Sequence, residues 1–382
     1  MKCIRCGIDS KYKERSNRKC PKCHGAFAFE PRKGDPYTDP AFQSAIDAVS
    51  AKGQVRWGAE HLYYELARRS RAKSGCAIVA LLVFAAAALI AVMKASWTAV
   101  VPALIAAALA LYVRRIKTKT FVKLEQGKFD GMLKAWQIAH GLPKGLIVRA
   151  MTRGAAAPPR ALDADIADYS FDRAVICDRA RTADLLLANN FHFENNCAVL
   201  AIDGYPEAQF ETVRKMLKRN PRLHVFALHD ATPKGCRLAH TLASDAAWFA
   251  GQAPVTDVGL RPAQTHAFAG LYRPHSGQPV QAGNGVSAKD AAWLSEHELE
   301  LAVIRPEQVL KRLYKALTRT DGGDGGGDGG SSSGSGDSTT AGNDAFTGGG
   351  GSSGGAGSSV TYDRDSFTYD AGDIDSDSDG FG

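Results

Sequence analysis

Residues 173–178 read RAVICD, 197–203 read CAVLAID and 223–230 read LHVFALHD. Each is a short, nearly continuous apolar run ending in an aspartate, without polar alternation, and so reads as a strand buried on both faces. The stretches between and after them, 180–191, 206–219 and 234–249, carry helical periodicity. Strands alternating with helices make a parallel sheet covered by helices, so 165–320 is expected to be an α/β domain. Ligands of such sheets collect at the carboxyl ends of the strands. Those ends carry Asp178, Asp203-Gly204-Tyr205-Pro206 and His229-Asp230. On neighbouring strands Asp178 and Asp230 would offer two hard oxygens to Mg²⁺; the other reading is that they cap the helices that follow.

Toward the N-terminus the cysteines decide the reading. Four of the eight fall in the first 23 residues, as Cys3-x2-Cys6 and Cys20-x2-Cys23, while Cys76, Cys177, Cys197 and Cys236 are scattered. No signal peptide fits ahead of Cys3, which gives the expectation of a reducing compartment where thiolates persist. Two CxxC turns at this separation are the ligand set of a zinc ribbon over 1–40, in which four sulfurs close the shell and fold a segment too short for a core. A redox dithiol is the alternative, but 1–40 is too short for the βαβ unit that carries one. His24 follows Cys23 directly and reads as a surface residue rather than a substitute ligand. Lys11, Lys13, Arg15, Arg18, Lys19 and Lys22 make the ribbon basic, which suits a nucleic-acid backbone or an anionic surface.

Between ribbon and α/β domain stand two apolar stretches, 75–93 and 95–113, separated by Lys94. Each is long enough to cross a bilayer core of about 30 Å. Arg68, Arg69, Arg71 and Lys73 precede the pair, and Arg114, Arg115, Lys117, Lys119 and Lys123 follow it. The expectation is a transmembrane hairpin over 74–114 in the cell inner membrane, with two spans and both termini cytoplasmic. A buried helical hairpin is the alternative. Residues 41–73 read as helix, short strand and helix, compatible with a winged-helix-like segment. Within it Leu62, Tyr63 and Leu66 share the buried face, and Tyr64 points elsewhere. Residues 115–164 read as a helical linker.

Composition shifts again at 321. The tail 321–382 holds twelve aspartates against the single Arg364, a net −11, so the rest of the chain carries +18 of the overall +7. Rich in Gly, Ser and Asp, it is expected to be disordered. An acidic tail of this kind can compete with nucleic acid for a basic body.

The run VFALHDATPKG (225–235), with GYP at 204–206, Asp178 closing an earlier strand and VGLRPAQ at 258–264, resembles the Toprim domain of the topoisomerase VI A subunit and its meiotic relatives. Upstream, HLYYE (61–65) resembles the winged-helix motif that carries the family's nucleophilic tyrosine, which falls on Tyr64. The resemblance implies a tyrosine attacking a DNA phosphodiester, aided by Mg²⁺ on a glutamate and an Asp-x-Asp pair. Three departures stand against it. Asp178 replaces the glutamate, Thr232 replaces the second aspartate, and Glu60 stands where an arginine is expected. Losing a carboxylate and setting Glu60 near an incoming phosphate both weaken the chemistry.

The expected whole is a multidomain α/β membrane protein: zinc ribbon, winged-helix-like segment, two transmembrane helices, Toprim-like parallel α/β domain and disordered tail. Its expected function is binding of nucleic acid or regulation. The alternatives are an active Mg²⁺-dependent nuclease or transesterase using Tyr64, Asp178 and Asp230, and a structural membrane scaffold.

Overall fold

The computed structural model describes residues 1–15, 17–72, 121–148, 171–321 and 360–362. The three apolar runs become β1 (Arg173–Cys177), β2 (Cys197–Ala201) and β3 (His224–Leu228), and a fourth strand, β4 (Val255–Asp257), joins them. All pair in parallel, in the order β2-β1-β3-β4. Their side chains alternate between two cores. Val175, Cys177, Val199, Ala201, Phe226 and Leu228 face one side, and Ala174, Ile176, Ala198, Leu200, Val225 and Ala227 the other. Period-two alternation sends both sets to apolar surroundings, which is why the sequence shows no polar alternation.

Helices cover both faces. On the second face lie α6 (Phe210–Arg219) through Leu217 and α7 (Leu238–Ser244) through Leu238, Leu242 and Ala243. On the first lie α4 (Ala180–Ala188), the short α5 (Phe191–Glu194) and α9 (Pro306–Asp321). The remaining helix of this region, α8 (Ala288–Leu294), follows a turn in which Gly283, Asn284 and Gly285 all have positive φ. A two-stranded antiparallel ribbon, β5 (Arg273–Pro274) with β6 (His297–Glu298), lies beside it in sequence.

The first core does not stop at the α/β domain. It runs on into α1 (Asp39–Val49), α2 (Ala59–Ala72) and α3 (Gln126–His140), through Phe42, Leu62, Tyr64, Leu66, Phe129 and Trp136. Phe42 stacks on Trp136 at 4.9 Å and Tyr63 meets Phe129 edge-on at 5.5 Å. The winged-helix expectation is corrected here. Residues 41–72 are two helices joined by a turn, and the short strand is reduced to a single bridge from Trp57 to Leu146. The third helix comes from the segment read as a linker.

Among the described residues no helix is long and apolar enough to cross a membrane. The longest, α9, has 16 residues and carries lysines and arginines, so it would measure about 24 Å and is amphipathic rather than apolar. This corrects the expected two-span membrane architecture and inner-membrane location; the stretches 75–93 and 95–113 on which they were placed lie outside the described residues. The tail also lies outside them, except for Asp321, which ends α9, and β7 (Val360–Tyr362), which pairs in parallel with β4.

Candidate functional site

Two constellations stand out. In the ribbon, the sulfurs of Cys3, Cys6, Cys20 and Cys23 all lie within 4.8 Å of one another, placed to hold a metal ion. Two matching turns bring them together. Gly7 N–H donates to Cys3 O and His24 N–H to Cys20 O, while Cys3 N–H reaches Ile8 O and Cys20 N–H reaches Gly25 O. Each turn needs a left-handed residue after its second cysteine: Gly7 has φ 73° and His24 has φ 54°. His24 thus occupies the conformational place of a glycine and serves the turn, not the ion. The backbone N–H groups of Cys23 and Lys22 aim at the Cys20 sulfur and, against burial, hold its thiol down to about 6. Four thiolates fit a soft, tetrahedral ion and close its shell.

One carboxylate ties the ribbon to the helices. Asp39, fully buried, accepts from the N–H groups of Ala28 and Phe29 and from His140 Nε2 at 2.5 Å. Arg5 donates to Ala139 O. A cleft of about 320 Å³ lies nearby, lined by Arg5, Asp47, Lys52, Trp136, His140 and Lys144 among others. Its cations stand at the carboxyl ends of α1 and α3, where they offset the helix dipoles.

The second constellation lies at the carboxyl ends of the strands. The chain passes from β1 to β2 on one side and returns to β3 on the other, so the crevice between β1 and β3 is the switch point of the sheet. Asp178 and Asp230 meet there, Asp230 N–H donating to Asp178 Oδ2 at 3.0 Å. Burial, reinforced by the Asp230 charge, pushes the Asp178 carboxyl up to about 7. Thr232 is buried and spends its hydroxyl oxygen on Gly235 N–H, inside its own turn. Gly235 is required: a Cβ there would lie 2.3 Å from Asp230 O.

Sequence reasoning passed over four residues of this cluster. Arg179 Nε lies 3.0 Å from Asp230 Oδ2, and Arg181 Nη2 lies 3.2 Å from the same oxygen and 3.0 Å from Glu300 Oε1. Arg273 Nη1 reaches Glu300 at 2.9 Å. Asp230 Oδ1 accepts from Leu301 N–H at 2.7 Å. Arg179 and Arg181 flank Ala180 directly after Asp178, and that adjacency is the signal available in the sequence. Arg273, the first residue of β5, and Glu300, just after β6, are distant in sequence and leave none. Behind the cluster His229 is buried between Asp257 Oδ1 at 2.9 Å and Asp230 O at 2.8 Å, and Arg261 grips the other Asp257 oxygen. Both ring nitrogens face acceptors. Although burial opposes it, the Asp257 charge raises the His229 pKa, which suits an imidazolium.

Tyr64 sits on the inner side of this cluster. It is fully buried and its hydroxyl has no hydrogen-bond partner among the described residues. Burial, with the charges of Glu300 and Asp230, pushes the phenol well above its usual 10, and Arg273 lies 5.8 Å from the ring centroid.

The implied Mg²⁺ does not fit this arrangement. Both oxygens of Asp230 are engaged by a backbone amide and two guanidiniums, and Thr232 is turned to its own loop. Among the described residues only the cysteine site brings three or more such ligand atoms together.

No family model, curated protein or solved structure matches the chain.

Proposed function

We propose that this chain is a zinc-ribbon, nucleic-acid-binding module whose Toprim-like core holds or regulates its partner rather than cutting it efficiently. In this reading the ribbon ion is zinc, with Cys3, Cys6, Cys20 and Cys23 as ligands, and its closed shell makes it structural. The exposed Lys2, Arg5, Lys11, Lys13, Lys19 and Lys22 of the ribbon supply contacts to phosphates. Support for the Toprim-like part comes from the parallel sheet with acidic strand ends at its switch point and from the position of Tyr64 behind them.

The observation that carries the reading is the sealed Tyr64. A nucleophile must reach phosphorus and shed its proton; this phenol is 0% exposed and its ionisation is opposed by burial and by two carboxylates. An active transesterase is the second reading. It is favoured by the neighbourhood that Tyr64 shares with Glu300, Asp230 and Arg273, and it requires α2 to leave the core.

The test is a labelled DNA duplex titrated with protein at several salt concentrations, followed by incubation with Mn²⁺ and a search for protein joined to DNA ends. Binding should weaken steeply as salt rises, as counterion release demands, with no covalent product. A covalent product lost in Tyr64→Phe would establish the second reading instead. Tyr64→Phe should also stabilise the fold by about 1 kcal/mol, because it removes a buried hydroxyl without a partner.

A further inference from the structure

We infer that Arg179 and Arg181 fill the charge-neutralising place of a divalent cation at the strand ends, and that their free N–H groups, with the first turn of α4, receive a phosphate group directly. This rests on the reading that the partner is nucleic acid, and names what the switch-point crevice does with it.

The charges come first. Asp178, Asp230 and Glu300 face Arg179, Arg181 and Arg273, and every ion pair among them is between 2.9 and 4.0 Å. A guanidinium cannot give up its charge in a protein, and the Asp230 and Glu300 charges raise the Arg181 pKa further despite burial. Mg²⁺ requires near-octahedral oxygens, and Asp230 Oδ2 and Glu300 Oε1 are already directed at guanidiniums while Asp230 Oδ1 is held by the Leu301 amide. The cluster is thus neutralised from within.

What the guanidiniums leave over faces outward. Arg179 uses Nε, and more loosely Nη1, on the acids, and Arg181 uses Nη2. Each guanidinium has five N–H donors, and the two side chains are 37% and 21% exposed. They begin α4, a helix of nine residues whose N-cap, Arg179, makes no side-chain cap bond. Cations at a helix start oppose the dipole. An anion bound there reverses that sign and uses the open amides.

A second observation points to a ligand independently. Asp178 Oδ1 has no partner among the described residues, on a side chain only 2% exposed. Buried polar atoms in native proteins are matched by something. With its carboxyl pushed up to about 7, Asp178 carries a proton near neutral pH that it can donate to a phosphate oxygen.

The experiment uses the zinc-loaded full chain. Mn²⁺ binding is followed by electron paramagnetic resonance, and inorganic phosphate and a fluorescein-labelled oligonucleotide are titrated in buffer without Mg²⁺, at constant ionic strength. Wild type should bind no Mn²⁺ at micromolar levels and bind both anions without Mg²⁺. R179Q/R181Q should weaken both anions about tenfold or more and gain one Mn²⁺. Stoichiometric Mn²⁺ on wild type would overturn the inference with no variant needed, and so would anion binding that needs Mg²⁺. If the oligonucleotide binds wild type and R179Q/R181Q equally, the inference falls and the nucleic-acid reading stands. If phosphate binds but the oligonucleotide does not, the inference stands and that reading falls.

Discussion

Asp178 shows how burial changes what a residue can do. Its sequence position, closing an apolar strand, was readable; its protonation was not, because that depends on Asp230 some fifty residues later. The folded carboxyl titrates near 7 and the unfolded one near 3.8. Below both values the proton is present in either state and folding is unaffected. Between them the unfolded chain ionises first, so stability falls as pH rises from about 4 to 7 and then levels off. Asp178→Asn keeps an acceptor for Asp230 N–H and removes the titration. Urea melts should show the variant more stable than wild type at pH 8, by on the order of 1–3 kcal/mol, with the difference gone at pH 4. His24 was legible as a surface residue but not as a turn residue: that role follows from the symmetry of the two turns, which appears only once Gly7 and His24 are seen to share a conformation.

At the scale of elements, what was legible followed from period and length. The three long strands announced themselves as unbroken apolar runs. β4 did not, because three residues, VTD, carry no period. Nor did the burial of α2. Its residues 61–67 are all buried, including His61 and Glu65, and a helix wrapped on every side looks amphipathic in sequence when its polar members are paired within. Glu65 accepts from Arg68 at 2.6 Å and Arg69 at 2.9 Å and lies 3.5 Å from Arg305, which directly precedes α9. Burial would raise its pKa, but Arg68, Arg305 and Arg69 outweigh it and the net shift is downward. Its contribution is therefore present above the usual carboxylate range and lost as pH falls through the lowered folded value. Glu65→Ala should cost about 3 kcal/mol at neutral pH, and the gap from wild type should narrow in acid, as measured by denaturant titration at pH 7 and pH 3.5.

For the whole molecule, the decisive contacts are long-range, which is why the sequence suggested separate modules in a row. Asp39 links the ribbon backbone, the start of α1 and the end of α3, so metal loss should be felt beyond the first 30 residues. Removing the ion with a chelator, or Cys20→Ser, should lower the melting temperature by about 5 °C or more, and elemental analysis should find one zinc per untreated chain. A melt unchanged by complete metal removal would separate the ribbon energetically from the rest. The shared first core carries one more implication. Val175, Phe226 and Leu228 belong to the same apolar mass as Phe42, Leu62 and Trp136; a fragment trimmed to the α/β portion would bare greasy surface that natively never meets water. Such a piece invites clumping, and its behaviour would speak for the cut rather than for the protein.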